Sequence, residues 1–134
     1  NNIDKFQLVH EMDNYLFSHA GVYLEWTKKY EITLWELFDF KKFLGGRWNT
    51  LEDVSYTRGG WCKVGSCVWA DIRESVENEL PVMFKKQIVG HTQMQEKPYI
   101  TTKIACLDVR KCFILDTETD EINEVTEEVS EVLS

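Results

Sequence analysis

The chain opens on two short apolar-rich runs, Phe6 to Glu11 and Tyr15 to Ser18, separated by Asp13-Asn14. Aspartate and asparagine favour tight turns, so the pattern predicts a β-hairpin over residues 6–18. Ser18-His19-Ala20-Gly21-Val22 then leaves the second strand at its C-terminal end. The spacing turns helical at Thr33. Thr33 and Glu36 make a T-x-x-E capping box, followed by Leu34, Trp35, Leu37, Phe38, Phe40, Phe43 and Leu44. That stripe is wide, which predicts one helix packed on more than one side and stopped by Gly45-Gly46.

Residues 47–67 lose periodicity and are rich in Gly, Arg and Trp, as in Tyr56-Thr57-Arg58-Gly59-Gly60-Trp61. Such a stretch predicts a long, functional loop. A short apolar run, Cys67-Val68-Trp69-Ala70, precedes the charged Asp71-Ile72-Arg73-Glu74. Lys86 to Thr92 predicts a buried strand ending in Gly-His, and two further strands are expected at Ile100–Leu107 and Cys112–Leu115. Val125, Val129, Val132 and Leu133 space as one face of a short final helix. No repeat and no linker interrupts the chain, so residues 1–134 read as a single α/β domain or part of a larger one.

Composition adds boundaries. No run approaches the length of a membrane-spanning helix, and Asn1-Asn2-Ile3-Asp4 has neither the basic start nor the apolar core of a signal peptide. The net charge of −8 has one location. Eight of the 23 acidic residues fall in 116–134, where there is no Lys or Arg, leaving 15 acidic against 15 basic residues before it. A neutral body with an acidic tail argues against nucleic-acid or membrane partners. Cys62, Cys67, Cys106 and Cys112 leave three readings open: buried free thiols, two disulfides, or a four-thiolate zinc site. The C-x4-C and C-x5-C spacings are looser than usual zinc knuckles, and Cys106 and Cys112 sit in apolar surroundings. Free thiols point to a reducing, cytoplasmic compartment.

Two of the three histidines share a setting. His19 follows Tyr15-Leu16-Phe17 and His91 follows Ile88-Val89-Gly90, each at a strand's C-terminal tip beside a small residue. Ligands of open α/β sheets bind at those tips, so two imidazoles delivered there can meet at one ion. His10, mid-strand, reads as a surface residue.

Leu16-Phe17-Ser18-His19-Ala20-Gly21-Val22 and Ile88-Val89-Gly90-His91-Thr92 resemble the last two metal-binding motifs of calcineurin-like metallophosphoesterases, in the serine/threonine-phosphatase-type branch. The order of features is also similar: a helical insertion, the Trp69 segment, Gly-His-Thr, then closing strands through Asp108. The likeness spans residues 6 to about 122. It implies a two-sheet αββα sandwich, of which this chain supplies mostly the second sheet with covering helices. It also implies hydrolysis of phosphate esters by a hydroxide bridging two divalent ions (Mn, Fe, Zn or Ni), with His19 and His91 as ligands of the second ion. Arg58 and Arg73 are the candidates to bind the phosphate, by paired hydrogen bonds. Gln93 stands where other branches place a further histidine.

The family's earlier motifs, Asp-x-His, Gly-Asp-x-x-Asp and Gly-Asn-His-(Asp/Glu), do not occur in the sequence. With the non-Met start, this predicts the C-terminal part of a longer enzyme, weakly metal-binding and poorly active alone. An isolated half-sandwich is expected to expose an apolar sheet face and to pair with its missing half or with itself. The competing reading is a non-catalytic binding module, with either a structural zinc held by the four cysteines or buried free thiols.

Overall fold

The computed structural model of the chain describes residues 7–125. Strand β1 (Val9–Met12) pairs antiparallel with β2 (Tyr15–Ser18), Met12 opposite Tyr15. Asp13 and Asn14 between them both take left-handed backbone angles, φ 50° and 67°. A two-residue turn needs that geometry to match the strands' twist, and Asp and Asn tolerate it. The first strand starts later than the sequence pattern predicts.

Three more strands complete a sheet of order β1-β2-β3-β5-β4, with β3 Lys86–Val89, β4 Tyr99–Ile100 and β5 Ile104–Cys106. β2, β3 and β5 run parallel, and the two edges are antiparallel. All four residues of β3 are buried, as a central strand covered on both faces requires. The single strand expected at 100–107 is instead a tight hairpin, Tyr99 opposite Cys106. The Thr101 hydroxyl accepts from the N–H groups of Lys103 and Ile104, which bends the chain there.

A second, two-stranded sheet joins β6 (Phe113–Asp116) to β7 (Glu121–Glu124). The fold is thus mixed α/β with two sheets. β7 lies inside the segment expected to be an acidic tail, so residues 116–124 are a folded arm. Its Leu115 and Ile122 pack over Tyr15, Ile88 and Ala105 of the larger sheet. The chain's own hairpin thus packs against part of that face of the larger sheet. The helix expected over Val125–Leu133 lies outside the described residues except for Val125.

Three short helices cover the opposite face: α1 (Leu24–Lys29), α2 (Leu34–Leu37) and α3 (Phe40–Gly46). The Thr33–Glu36 capping box forms, but the expected single helix breaks after Leu37. The cause is Asp39, whose carboxylate accepts from the Lys42 N–H and so caps a new helix. Gly45-Gly46 form the last turn of α3, with Arg47 as C-cap, instead of a stop beyond it. α1 buries Trp26, whose indole N–H donates to the Thr50 carbonyl at 2.9 Å. Trp26, Tyr23, Leu16, Leu37 and Phe43 are almost fully buried, each worth roughly 1.5–3 kcal/mol of burial. Among the described residues no helix is long and apolar enough to cross a membrane.

One polar side chain inside this core positions the exit from β2. Gln87 of β3 is 1% exposed. Its amide donates to the Val22 carbonyl at 2.8 Å and accepts from the Val22 N–H at 2.9 Å. The side chain behaves as an extra length of strand, fixing the loop that begins at His19 against β3.

Candidate metal centre

β2 and β3 are parallel neighbours, so their C-terminal ends open on the same edge of the sheet. His19 follows the last residue of β2 and His91 lies two residues beyond β3. The Gly90 N–H donates to the His19 carbonyl at 2.9 Å and holds the two exits together. There His19 Nε2 and His91 Nδ1 share a hydrogen bond of 2.9 Å, one ring donating and the other accepting, with the rings inclined by 57°. His91 takes a left-handed backbone, φ 65°, which is costly for a non-glycine residue.

The environment of His91 favours its neutral form. Burial lowers its pKa first, and the nearby charges of Arg58 and His19 lower it further. Its Nε2 is buried without a hydrogen-bond partner, so a charged imidazolium would carry an unsatisfied N–H. A neutral imidazole is the form that binds metals.

Arg58 reaches this pair directly. Its Nη2 donates to the His91 carbonyl at 2.7 Å, while its Nε lies 3.4 Å from Asp71 Oδ2, too poorly aligned for a hydrogen bond. Arg73 sits farther out, with a side chain 66% exposed, and forks onto the Asp71 carboxylate with bonds of 2.8 and 2.9 Å. Asp71 is wholly buried. Burial alone would raise its pKa, but the Arg73 hydrogen bonds and the charges of Arg73 and Arg58 hold it below the usual carboxylate value. The two candidate arginines are thus tied together by one carboxylate.

Three further residues complete the surroundings. Trp69 meets His91 edge-on, ring centres 5.6 Å apart. Asp108 follows β5, the third parallel strand, and its charge acts on His91. Glu74 organises the preceding loop. Its carboxylate accepts from the Ser55 hydroxyl and the Gly65 N–H, both at 2.8 Å, from the Thr57 hydroxyl at 3.3 Å, and from the Asp71 N–H. The loop over 47–67 is irregular as expected but firmly held. Its turns span Trp48–Glu52 and Tyr56–Arg58.

The histidine pair passes a simple test as part of a metal site. Two nitrogens each about 2.1 Å from one ion lie about 3.0 Å apart at a right angle and about 3.4 Å apart in a tetrahedron. The observed 2.9 Å is the length of a hydrogen bond between the two rings, and it also lies close to the separation of two adjacent ligands of an octahedral ion. The fit covers two positions only. Among the described residues no group of three or more His, Cys, Asp or Glu side chains is placed to hold an ion.

The remaining candidates lie elsewhere. His10 is exposed, with Nδ1 3.2 Å from Gln7 Oε1. All four cysteines are free thiols: Cys67 and Cys106 are buried, Cys62 is half-buried and Cys112 is exposed. The apolar setting expected for Cys112 is not found, because it precedes β6 on the outer surface. Burial pushes the Cys67 thiol up to about 12.

The chain matches no protein-family model, no curated protein and no solved structure.

Proposed function

We propose that this chain carries part of a metal-dependent phosphoesterase centre, the part that holds the second of two divalent ions. The observation that supports the reading best is the meeting of His19 Nε2 and His91 Nδ1 at 2.9 Å on the edge where parallel strands end. Imidazole nitrogens are donors suited to Mn, Fe, Zn or Ni. The remaining ligands would come from polypeptide outside the described residues.

Divalent ions in such a centre act as Lewis acids, lowering the pKa of water and stabilising the charge that develops on phosphate oxygens. The residues have separate tasks around that chemistry. His19 and His91 supply two ligand positions. Arg58, anchored to the His91 carbonyl, sets a cation beside the imidazoles, where a phosphate ester would bring its oxygens. Arg73 adds a second guanidinium on the solvent side, its orientation fixed by Asp71, which also lies 3.4 Å from Arg58 Nε. Trp69 shields one side of His91 from water. With only two protein donors the chain alone should bind metal loosely and hydrolyse esters slowly.

Metal content by mass spectrometry tests this after equilibration with Mn or Zn at millimolar concentration. About one ion per chain is expected in the wild type, lost in both His19→Ala and His91→Ala. Stoichiometry unaffected by either substitution, or no ion in the wild type, would refute the reading.

A further inference from the structure

We propose that a groove between Trp48 and Trp69 receives the alcohol portion of the ester, and that this portion is an uncharged aromatic ring carried directly on the ester oxygen. The inference rests on the phosphoesterase reading and names its substrate class. The groove encloses about 390 Å³, within the range of small-ligand sites, and is walled by Leu8, Phe40, Trp48, Leu51 and Trp69.

Position is the first argument. Trp69 belongs to both sites: its ring meets His91 edge-on at 5.6 Å, and it also lines the groove and is 43% exposed. Leu8 is the next position after the Val9–Ser18 pair, on the side of His19. The groove therefore opens at the strand ends where the imidazoles meet. A phosphate gripped there has its ester oxygen beside Trp69. An aryl ring joined to that oxygen lands on the indole, whereas a nucleobase would be held a whole sugar farther away.

Charge is the second. Among the described residues that line the groove, Glu52 alone is charged. A carboxylate without a cation repels a second phosphate, so a polyphosphate chain does not fit in this direction. Two open indoles suit a planar neutral ring, which they can meet face-on with offset or edge-on. Trp48 is 52% exposed, which leaves indole surface for such a ring to meet.

Isothermal titration calorimetry on the manganese-loaded chain tests the proposal with phenyl phosphate, methyl phosphate, inorganic phosphate and phenol. The variants are Trp48→Ala and Trp48→Phe. Phenyl phosphate should bind about tenfold more tightly than methyl phosphate, equivalent to about 1.4 kcal/mol. Trp48→Ala should bring that ratio near one, Trp48→Phe should keep most of it, and inorganic phosphate should bind all three proteins alike. Equal affinity for the two esters in the wild type, or a preference that survives Trp48→Ala, overturns the proposal. So does tighter, Trp48-dependent binding of a nucleoside monophosphate than of phenyl phosphate. Failure of the underlying reading looks different: no phosphate compound binds any variant, while phenol still binds in a Trp48-dependent way. The groove would then hold rings without serving an ester site, and the proposal falls with that reading.

Discussion

Glu74 sits in a run of charged residues yet is 4% exposed, and its substitution should be among the most damaging in the chain. The carboxylate accepts from the Ser55 and Thr57 hydroxyls and from the Gly65 and Asp71 N–H groups. These donors lie on three separate stretches, so one side chain ties the loop over 53–66 to the turn Ile72–Val76. Glu74→Gln keeps the volume but replaces one acceptor oxygen with a donor NH2. The mildest arrangement points that NH2 at Gly65, whose buried N–H then faces another donor. Losing one hydrogen bond to a charged group costs about 1.5–3 kcal/mol, and the remaining bonds weaken from charged to neutral. The sum comes to about 3 kcal/mol. Glu74→Ala strands the Gly65 and Asp71 N–H groups and leaves the Ser55 and Thr57 hydroxyls only each other, and should cost about 4–5 kcal/mol. Against a total stability of roughly 5–15 kcal/mol these are large fractions. Urea denaturation followed by tryptophan fluorescence measures the loss, which for Glu74→Gln corresponds to about 10 °C in Tm. Thr57→Ala is the control, expected to cost about 1 kcal/mol or less, because Thr57 is exposed and Ser55 still serves the same oxygen. A Glu74→Gln loss below about 1 kcal/mol with an unchanged m-value would refute the view that this carboxylate is the loop's anchor.

Tyr15→Phe keeps the buried ring but removes the 2.7 Å bond to Asp120 that pins the β6–β7 arm, and should cost about 1–2 kcal/mol in denaturant. Burial first, then the Asp120 hydrogen bond, raises the Tyr15 pKa to about 12, so its contribution is intact below pH 10 and lost between pH 10 and 12; the variant should lose that alkaline dependence in melts across the range. Asp71 has a depressed pKa, so its contribution is present above about pH 4 and fades as pH falls further. Asp71→Asn should flatten the acid limb of a stability-versus-pH curve, because it removes the carboxylate onto which Arg73 forks. A Cβ at Gly60 would lie 2.0 Å from the Val54 carbonyl oxygen, whereas one at Gly59 meets nothing but requires φ +83°. Gly60→Ala should therefore cost about 3 kcal/mol and Gly59→Ala about 1 kcal/mol by thermal unfolding.

The elements legible in the sequence are those that local chemistry determines. Asp13-Asn14 predicts its hairpin because few other pairs accept two left-handed residues, and Thr33–Glu36 predicts a helix start because the cap is made within one turn. His19 and His91 are recognisable as strand-end residues because the apolar runs before them are short and clear. What escaped the pattern depends on contacts remote in sequence. Asp39 reads as a polar position on one long helix, and only its bond to the Lys42 N–H turns it into a cap. Asp71-Ile72-Arg73-Glu74 reads as a charged surface run. Two of its carboxylates are buried because Ser55, Gly65 and Arg58 arrive from elsewhere to receive them. The hairpin cut from the acidic end was illegible for the same reason: Asp120 is placed by Tyr15 and Lys86, and net charge carries no trace of that.

The meeting of the two histidines follows from topology plus one unfavourable torsion. β2 and β3 are parallel and Phe17 pairs with Ile88, so continuing the register sets His19 level with Gly90 and leaves His91 one position beyond. In an extended chain that offset would carry the two side chains to different heights. The left-handed turn at His91 folds its ring back until Nδ1 reaches His19 Nε2. That conformation costs about 1–3 kcal/mol, and the same residue also buries an unpartnered Nε2. A histidine kept only for packing would be relieved of both penalties by moving outward. Two costs borne by one side chain are offset in part by the hydrogen bond its Nδ1 makes with His19, and the metal site proposed above would supply the rest.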